Sequence, residues 1–202
     1  MRRALSMNRP VFTGARAVTA TGLLSAMAYI LAFPEFPVPL SPSFARMDFS
    51  DFPALVGAFA LGPMCGLTVE LVKNLMQLFS SSTGGIGEIA NFLMGAAYVV
   101  TAGLIYSLRK TKKTALLACL IASFVMGLTA ALANYFILLP LFERFMPLEQ
   151  LIASFGAFLP FIRTKLDIVL FNAFPFNLLK GLVIGGFTML IYKRLTPILK
   201  GR

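Results

Sequence analysis

Histidine is absent from all 202 residues, which excludes Ser–His and Cys–His catalysis, histidine proton relays and zinc-protease sites. Only two cysteines are present; Cys65 and Cys119 each lie in an apolar stretch without a neighbouring Cys or His, so neither a disulfide framework nor a metal site is indicated. Charge is scarce, at 13% of residues, and the eight acids are scattered. A membrane enzyme such as a lipid transferase would need a carboxylate cluster or a nucleophile with a base, and the sequence offers neither pattern. No G-x-x-x-x-G-K-[ST] string occurs, so the chain carries no phosphate-binding loop of its own. No A-x-A-like cleavage site follows a short apolar core near the start, and the first hydrophobic run is expected to be kept as a span. Internal repeats are missing too: the Gly62-Pro63 break has no counterpart in the second half, which argues against an inverted-repeat secondary transporter.

What is present is hydrophobic surface. Hydrophobic residues make up 58% of the chain, too much for a soluble domain with a polar exterior, and several runs reach the ~20 apolar residues that a bilayer-spanning helix needs. The expectation is an all-α, polytopic membrane protein. Span one runs from about Gly14 to Phe33 and stops at Pro34–Pro42, where four prolines in nine residues forbid a helix. The stretch Phe52 to Phe79 is too long for one ordinary span, and Gly62-Pro63 divides it into a short helix, Pro53 to Leu61, and a longer one from Pro63. Spans over Ile86 to Leu108, Ala115 to Leu139 and Leu166 to Tyr192 follow.

The formal net charge of +10 sits in three zones. Arg2, Arg3, Arg9 and Arg16 precede span one, Arg109, Lys110, Lys112 and Lys113 fill one short loop, and Lys193, Arg194, Lys200 and Arg202 close the chain. These hold twelve of the eighteen basic residues and none of the acids, the positive-inside pattern of cytoplasmic segments rather than a nucleic-acid surface. Six transmembrane helices with both termini cytoplasmic bring all three zones to one side; five crossings do not. The whole chain, 1–202, then reads as one six-helix membrane domain, with a capping outer loop at 34–51 and a second outer loop at 140–165 that has room for a short surface helix. The second helix, too short to cross unaided, has to be packed by protein or reached by an inward-dipping loop.

Polar residues inside such spans are the functional candidates. Lys180 lies in the last hydrophobic run and needs a partner or a ligand; Asn177, three residues earlier, shares its helical face. Asn134 sits near the outer end of span five, as interhelical glue or as a third member of a polar pocket open to the outside. Glu70 and Lys73, three residues apart, are expected to neutralise each other as an internal ion pair, with a ligand contact or a role in an ion path as the alternative. Ser50 or Asp51 is expected to cap the helix beginning near Pro53, with Asp48 anchoring the loop. Pro42 to Met47, apolar and aromatic outside any span, suggests a lid. Small residues in span one form rows, Ala17/Thr21/Ser25, Gly22/Ala26 and Ala28/Ala32, suited to packing within the bundle or to a partner helix.

Four strings in order resemble a known family: Met47-Asp48-Phe49-Ser50-Asp51-Phe52-Pro53-Ala54-Leu55; Gly62-Pro63 with Val69-Glu70-Leu71-Val72-Lys73-Asn74-Leu75; Gly87-Glu88-Ile89-Ala90-Asn91-Phe92; and Pro175-Phe176-Asn177-Leu178-Leu179-Lys180. They are similar to the substrate-binding membrane subunits of energy-coupling factor (ECF) transporters, most closely the riboflavin-specific type. The resemblance covers nearly the whole chain. It implies a non-enzymatic six-helix bundle in the cell membrane that captures riboflavin as its transported ligand, without a cofactor, and delivers it by toppling within an ATP-driven complex. The implied partners are a transmembrane coupling subunit and two ATP-binding-cassette subunits. The same resemblance implies Asn134, Asn177 and Lys180 as polar ligand contacts, Phe44, Ala45 and Met47 in a capping loop, and Gly22, Ser25 and Ala26 on the surface facing the coupling subunit. Two alternatives remain: a sibling subunit for another vitamin, and an ion channel or proton-coupled carrier using Glu70 and Lys73.

Overall fold

The computed structural model describes residues 14–37, 46–81 and 83–199. Phe44 and Ala45 lie outside the described residues. The chain is all-α, built from α1 (Ala15–Leu31), α2 (Asp51–Ala60), α3 (Pro63–Gln77), α4 (Ile86–Leu108), α5 (Lys112–Phe142), α6 (Leu148–Gly156) and α7 (165–199). Two residues of β1 (Phe36–Pro37) pair antiparallel with two of β2 (Arg46–Met47), pinching together the ends of the segment between α1 and α2. Among the described residues, α4, α5 and α7 are long and apolar enough to cross a membrane on length and composition alone.

The short helix α2 is the inner element. Eight of its ten residues are buried, on every side of the helix, as expected for a segment apolar all round. The packing requirement is thus met by protein: α1, α3, α4 and α7 all lie against it. Gly62, at φ 107°, makes the turn after α2, and Pro63 opens α3 where its missing N–H costs nothing. The hairpin is antiparallel, since Asp51 meets Lys73 at one end and Ala58 meets Gly66 at the other. A Cβ on Gly66 would stand 2.8 Å from Ala58 Cβ and 2.9 Å from the Ala54 carbonyl oxygen, so only glycine permits this approach.

Small residues set the α5–α7 seam as well. Gly181 packs on Ser123 and Gly185 on Cys119, which brings the two backbones close and leaves Tyr98 of α4 to donate from its hydroxyl to the Gly181 carbonyl at 2.9 Å. Both cysteines are free and buried, as packing residues.

Span five continues through Pro140 to Phe142, past the end expected at Leu139. A π-helical turn at Asn134–Leu138 precedes Pro140, and a second at Val169–Ala173 precedes Pro175. Each proline lacks the N–H for its turn and crowds the carbonyl four residues back, at Phe136 or Phe171, and each of those carbonyls lies in a widened turn that absorbs the conflict. The two widened turns pack against each other. Beside them α6 places Leu151 and Phe155 on Leu139, Ile168 and Val169, a second, smaller core.

On α1, Ala17, Thr21, Ser25 and Ala28 turn inward, while Gly22 and Ala26 are exposed. Thr21 Oγ1 lies 3.2 Å from Cys65 Sγ and Ser25 donates to the Thr21 carbonyl. This corrects the placement of Ser25 on a docking surface: at 3% exposure it is spent inside the bundle. Ala28 and Ala32 are buried too, which removes that row as an alternative docking face.

Replacing Gly66 with Ala should lower the thermal unfolding temperature in detergent, by an amount corresponding to ~1–3 kcal/mol of overpacking. Gly22→Ala is the control, because nothing lies within 4 Å of a Cβ there. Equal unfolding temperatures for the two variants would refute the close α2–α3 approach.

Candidate functional site

Five ionisable side chains are packed into one buried cluster: Asp48, Asp51, Glu70, Lys73 and Lys180. A charge held away from water is costly unless paired and hydrogen-bonded, and each of these is. Lys73 pairs with Asp51 through Oδ1 and with Glu70 at 2.9 Å, and donates to Ser50 Oγ at 2.8 Å. Lys180 lies 3.1 Å from Asp51 Oδ2 and 3.6 Å from Asp48 Oδ2, and donates to Asn91 Oδ1 at 3.3 Å. Asp51 therefore bridges two ammonium groups. Three carboxyls face two amines, so the cluster has one carboxyl in excess.

Helical spacing explains how these residues meet. Glu70 and Lys73 share a face of α3, where Asn74 donates to the Glu70 carbonyl at 2.8 Å. Asp51 is the first residue of α2, placed opposite Lys73 by the Gly62 turn, and Lys180 comes in from α7. The expected self-contained Glu70–Lys73 pair is thus part of a network joining four helices and the loop base. The expected cap is replaced as well: Ser50 precedes α2 with no side-chain hydrogen bond to its amides, and Asp51 points to the lysines. Asp48 Oδ1 accepts from the Ser50 amide at 2.7 Å, as a loop anchor does.

The structure places Asn177 and Lys180 one turn apart on α7 and leaves Asn134 further along the α5–α7 seam. Met47, half-buried in β2, immediately precedes Asp48, whose carboxylate reaches Lys180. Asn177 is buried one turn before Lys180, its amide donating to the Ala173 carbonyl at 2.9 Å. Asn134 likewise donates to the carbonyl one turn back, Ala130, at 2.8 Å, within the widened turn of α5. The contacts Ser123–Gly181, Cys119–Gly185 and Gly127–Phe174 fix an antiparallel α5–α7 register. By that register Asn134 lies roughly 10–13 Å from the level of Asn177, at 1.5 Å per residue. Phe187 meets Phe49 at 5.5 Å with the rings tilted and Phe52 edge-on at 5.0 Å, which holds the loop base against α7.

Sequence reasoning missed Asp48, Asp51 and Asn91 as parts of this site. The signal was present in the short list of acids: two of eight fall within four residues beside a helix with no polar face. Chemically the region offers hydrogen-bond donors and acceptors beside apolar walls, which suits binding. Among the described residues no group of His, Cys, Asp or Glu is placed to hold a metal ion.

Comparison with known proteins gives a consistent result. The family model described as "ECF transporter, substrate-specific component" matches residues 16–192. The riboflavin transporter RibU of Staphylococcus aureus is 36% identical over 200 residues, covering 98% of this chain and 97% of that protein. The riboflavin transporter FmnP of Bacillus subtilis is 28% identical over 183 residues, covering 89% and 92%. A solved structure of the S component of a bacterial ECF transporter superimposes with a TM-score of 0.74 at 34% identity, covering 92% of this chain and 98% of that one.

The charge count predicts an asymmetry between two substitutions. Lys73→Met leaves three carboxyls facing one amine and should cost about 3–5 kcal/mol, whereas Glu70→Gln leaves two facing two and should cost clearly less. Thermal unfolding of both variants in detergent checks the order, and a more damaging Glu70→Gln would contradict it.

Proposed function

The chain belongs to the family of ECF transporter substrate-specific components, a multi-pass membrane protein of a transport system and not an enzyme, and we propose that the ligand it binds is riboflavin. The observation that carries this reading is the 36% identity, over 98% of the chain, to a riboflavin transporter. The flavin fits the chemistry of the site. Its ring edge offers carbonyls and an imide N–H for amide side chains, its ribityl hydroxyls accept from an amine, and its ring fills an apolar slot. In this reading Asn134, Asn177 and Lys180 are polar ligand contacts; their spread along the α5–α7 seam suits a ligand with polar groups at both ends. Phe44, Ala45 and Met47 belong to a loop that caps the site, its ends drawn together by the β1–β2 pair.

The termini and the Arg109–Lys113 loop face the cytoplasm, following the distribution of basic residues. Six crossings, with α2 held inside the bundle, then put the capping loop and the 140–165 segment on the outer side, where the vitamin is captured. The chain works with a transmembrane coupling subunit and two ATP-binding-cassette subunits, which supply the energy. Gly22 and Ala26, exposed on α1, are the surface against which a coupling helix packs closely.

Riboflavin titrated into the purified chain at micromolar protein should show saturable fluorescence quenching without ATP, through contact of the ring with Phe and Tyr side chains. Tight binding of a different vitamin with no quenching by riboflavin would replace the ligand and keep the family. Lys180→Ala and Asn177→Ala should each weaken binding by a few-fold to about a hundredfold, the loss of one hydrogen bond of ~0.5–3 kcal/mol. Unchanged affinity in both would reassign them to packing.

Gly22→Trp and Ala26→Trp, introduced separately, should abolish uptake in cells and co-purification with the coupling subunit while flavin binding persists. Normal uptake in both variants would rule out this face.

A further inference from the structure

Four cations crowd the turn between α4 and α5. Arg109, Lys110, Lys112 and Lys113 fall within five residues, and all four side chains are exposed. The α5–α7 register set by Cys119 against Gly185 brings Arg194, also exposed, to the same level. No acid answers them. For α4, α5 and α7 the nearest carboxylates in sequence, Glu88, Glu143 and Asp167, stand at or just beyond the opposite ends of the helices. Among the described residues no ion pair includes any of the five cations. Nor do the lysines serve the helix they open, since a cation at a helix N-terminus opposes the dipole and α5 has no acid in its first turn to offset it. The turn itself is well fixed: the Thr111 amide donates to the Arg109 carbonyl at 2.8 Å, and the Thr111 hydroxyl accepts from the Thr114 amide at 3.2 Å.

One turn further along α5 the same faces become apolar. Leu116 and Leu120 follow Lys112, Leu117 follows Lys113, and all three leucines are exposed, as is Leu108 at the end of α4. Cations beside an exposed apolar wall match an amphiphile with an anionic head and hydrocarbon tails, because phosphate oxygens accept from guanidinium and ammonium groups while acyl chains cover leucine. We propose that anionic phospholipids dock at the α4–α5 turn, the headgroup phosphate held by Arg109, Lys110, Lys112 and Lys113 with Arg194 beside them, and an acyl chain lying along Leu116 and Leu120. The positive-inside rule accounts for the sign of the turn; the bound lipid supplies the counter-charge that this end of the chain omits, whatever the outer end binds. An acidic protein surface would answer the cations but not the leucines one turn on.

The test is thermal unfolding of the full chain in zwitterionic micelles with and without phosphatidylglycerol, together with native mass spectrometry to count retained lipid. Phosphatidylglycerol should raise the unfolding temperature, phosphatidylcholine and inorganic phosphate should not, and high salt should shrink the rise. The combined variant Arg109→Gln, Lys110→Gln, Lys112→Gln, Lys113→Gln should bind phosphatidylglycerol about 10- to 100-fold more weakly and lose the rise. Where that variant fails to insert, the pair Lys112→Gln, Lys113→Gln keeps two cations in the turn and carries the test with a smaller loss. The control is Arg144→Gln, Arg163→Gln, two exposed cations of the 140–165 segment, which should keep the full rise. An undiminished rise in the turn variants overturns the site, and so does an equal loss in the control, which marks the effect as one of net charge. No preference for the anionic lipid overturns it as well, and leaves an acidic partner surface as what these cations face.

Discussion

A buried ammonium must find its counter-charge inside the protein, and here one carboxylate, Asp51, serves two of them. That constraint fixes more of the architecture than any single apolar contact. For Asp51 to reach both Lys73 and Lys180, the start of α2 must lie between α3 and α7, so the short helix is held at one depth. Its burial on all sides then follows, since four longer helices, α1, α3, α4 and α7, pack around it. The same contact sets the position of the preceding loop, because Asp48, three residues earlier, is drawn to Lys180 and Phe49 onto Phe187. A network of this kind adds little net stability compared with an apolar core of equal volume. What it supplies is register, since sliding any one helix by a turn would strand a charge.

A second constraint acts at the other end of the α5–α7 seam. Pro140 and Pro175 each sit two residues beyond a widened turn, and the two turns face each other. A proline inside a straight helix would clash with the carbonyl four residues back; the widened turn spreads that conflict over five residues and lets the helix continue. Asn134 opens one of these turns and Asn177 follows the other. The close contacts at Gly181 and Gly185 continue to Gly127 against Phe174, and the amides of Asn134 and Asn177 stand on the two helices at and just past the widened turns.

Most of the fold was legible in the sequence, because membrane burial writes itself as long apolar runs. The bounds of α4 match the expected span at both ends, and the Gly62-Pro63 break separates α2 from α3 as the residues implied. The site was less legible for a physical reason. Asp51 is read locally as a cap, since an acid beside a helix start normally satisfies free amides, and only the three-dimensional arrangement shows two lysines competing for it. The partners of Lys180 lie in strings far from it in sequence, and the spacing of Asn177 and Lys180 identifies a shared face without naming what faces them. Pro140 misled in the other direction, as a stop signal that a π-helical turn overrides.

Helix α1 carries small residues on two faces that the structure treats differently. Its inward row, Ala17, Thr21, Ser25 and Ala28, is buried against the bundle, with Thr21 reaching Cys65. Its outward row, with Gly22 and Ala26, adds little volume and leaves the backbone approachable. Both rows contain small residues, so sequence periodicity alone gave no basis for telling which one packs within the bundle; burial identifies it as the row of Ala17, Thr21 and Ser25. None of the described α1 residues enters the charge cluster; α1 packs on α2 and α3, the helices that carry Asp51, Glu70 and Lys73.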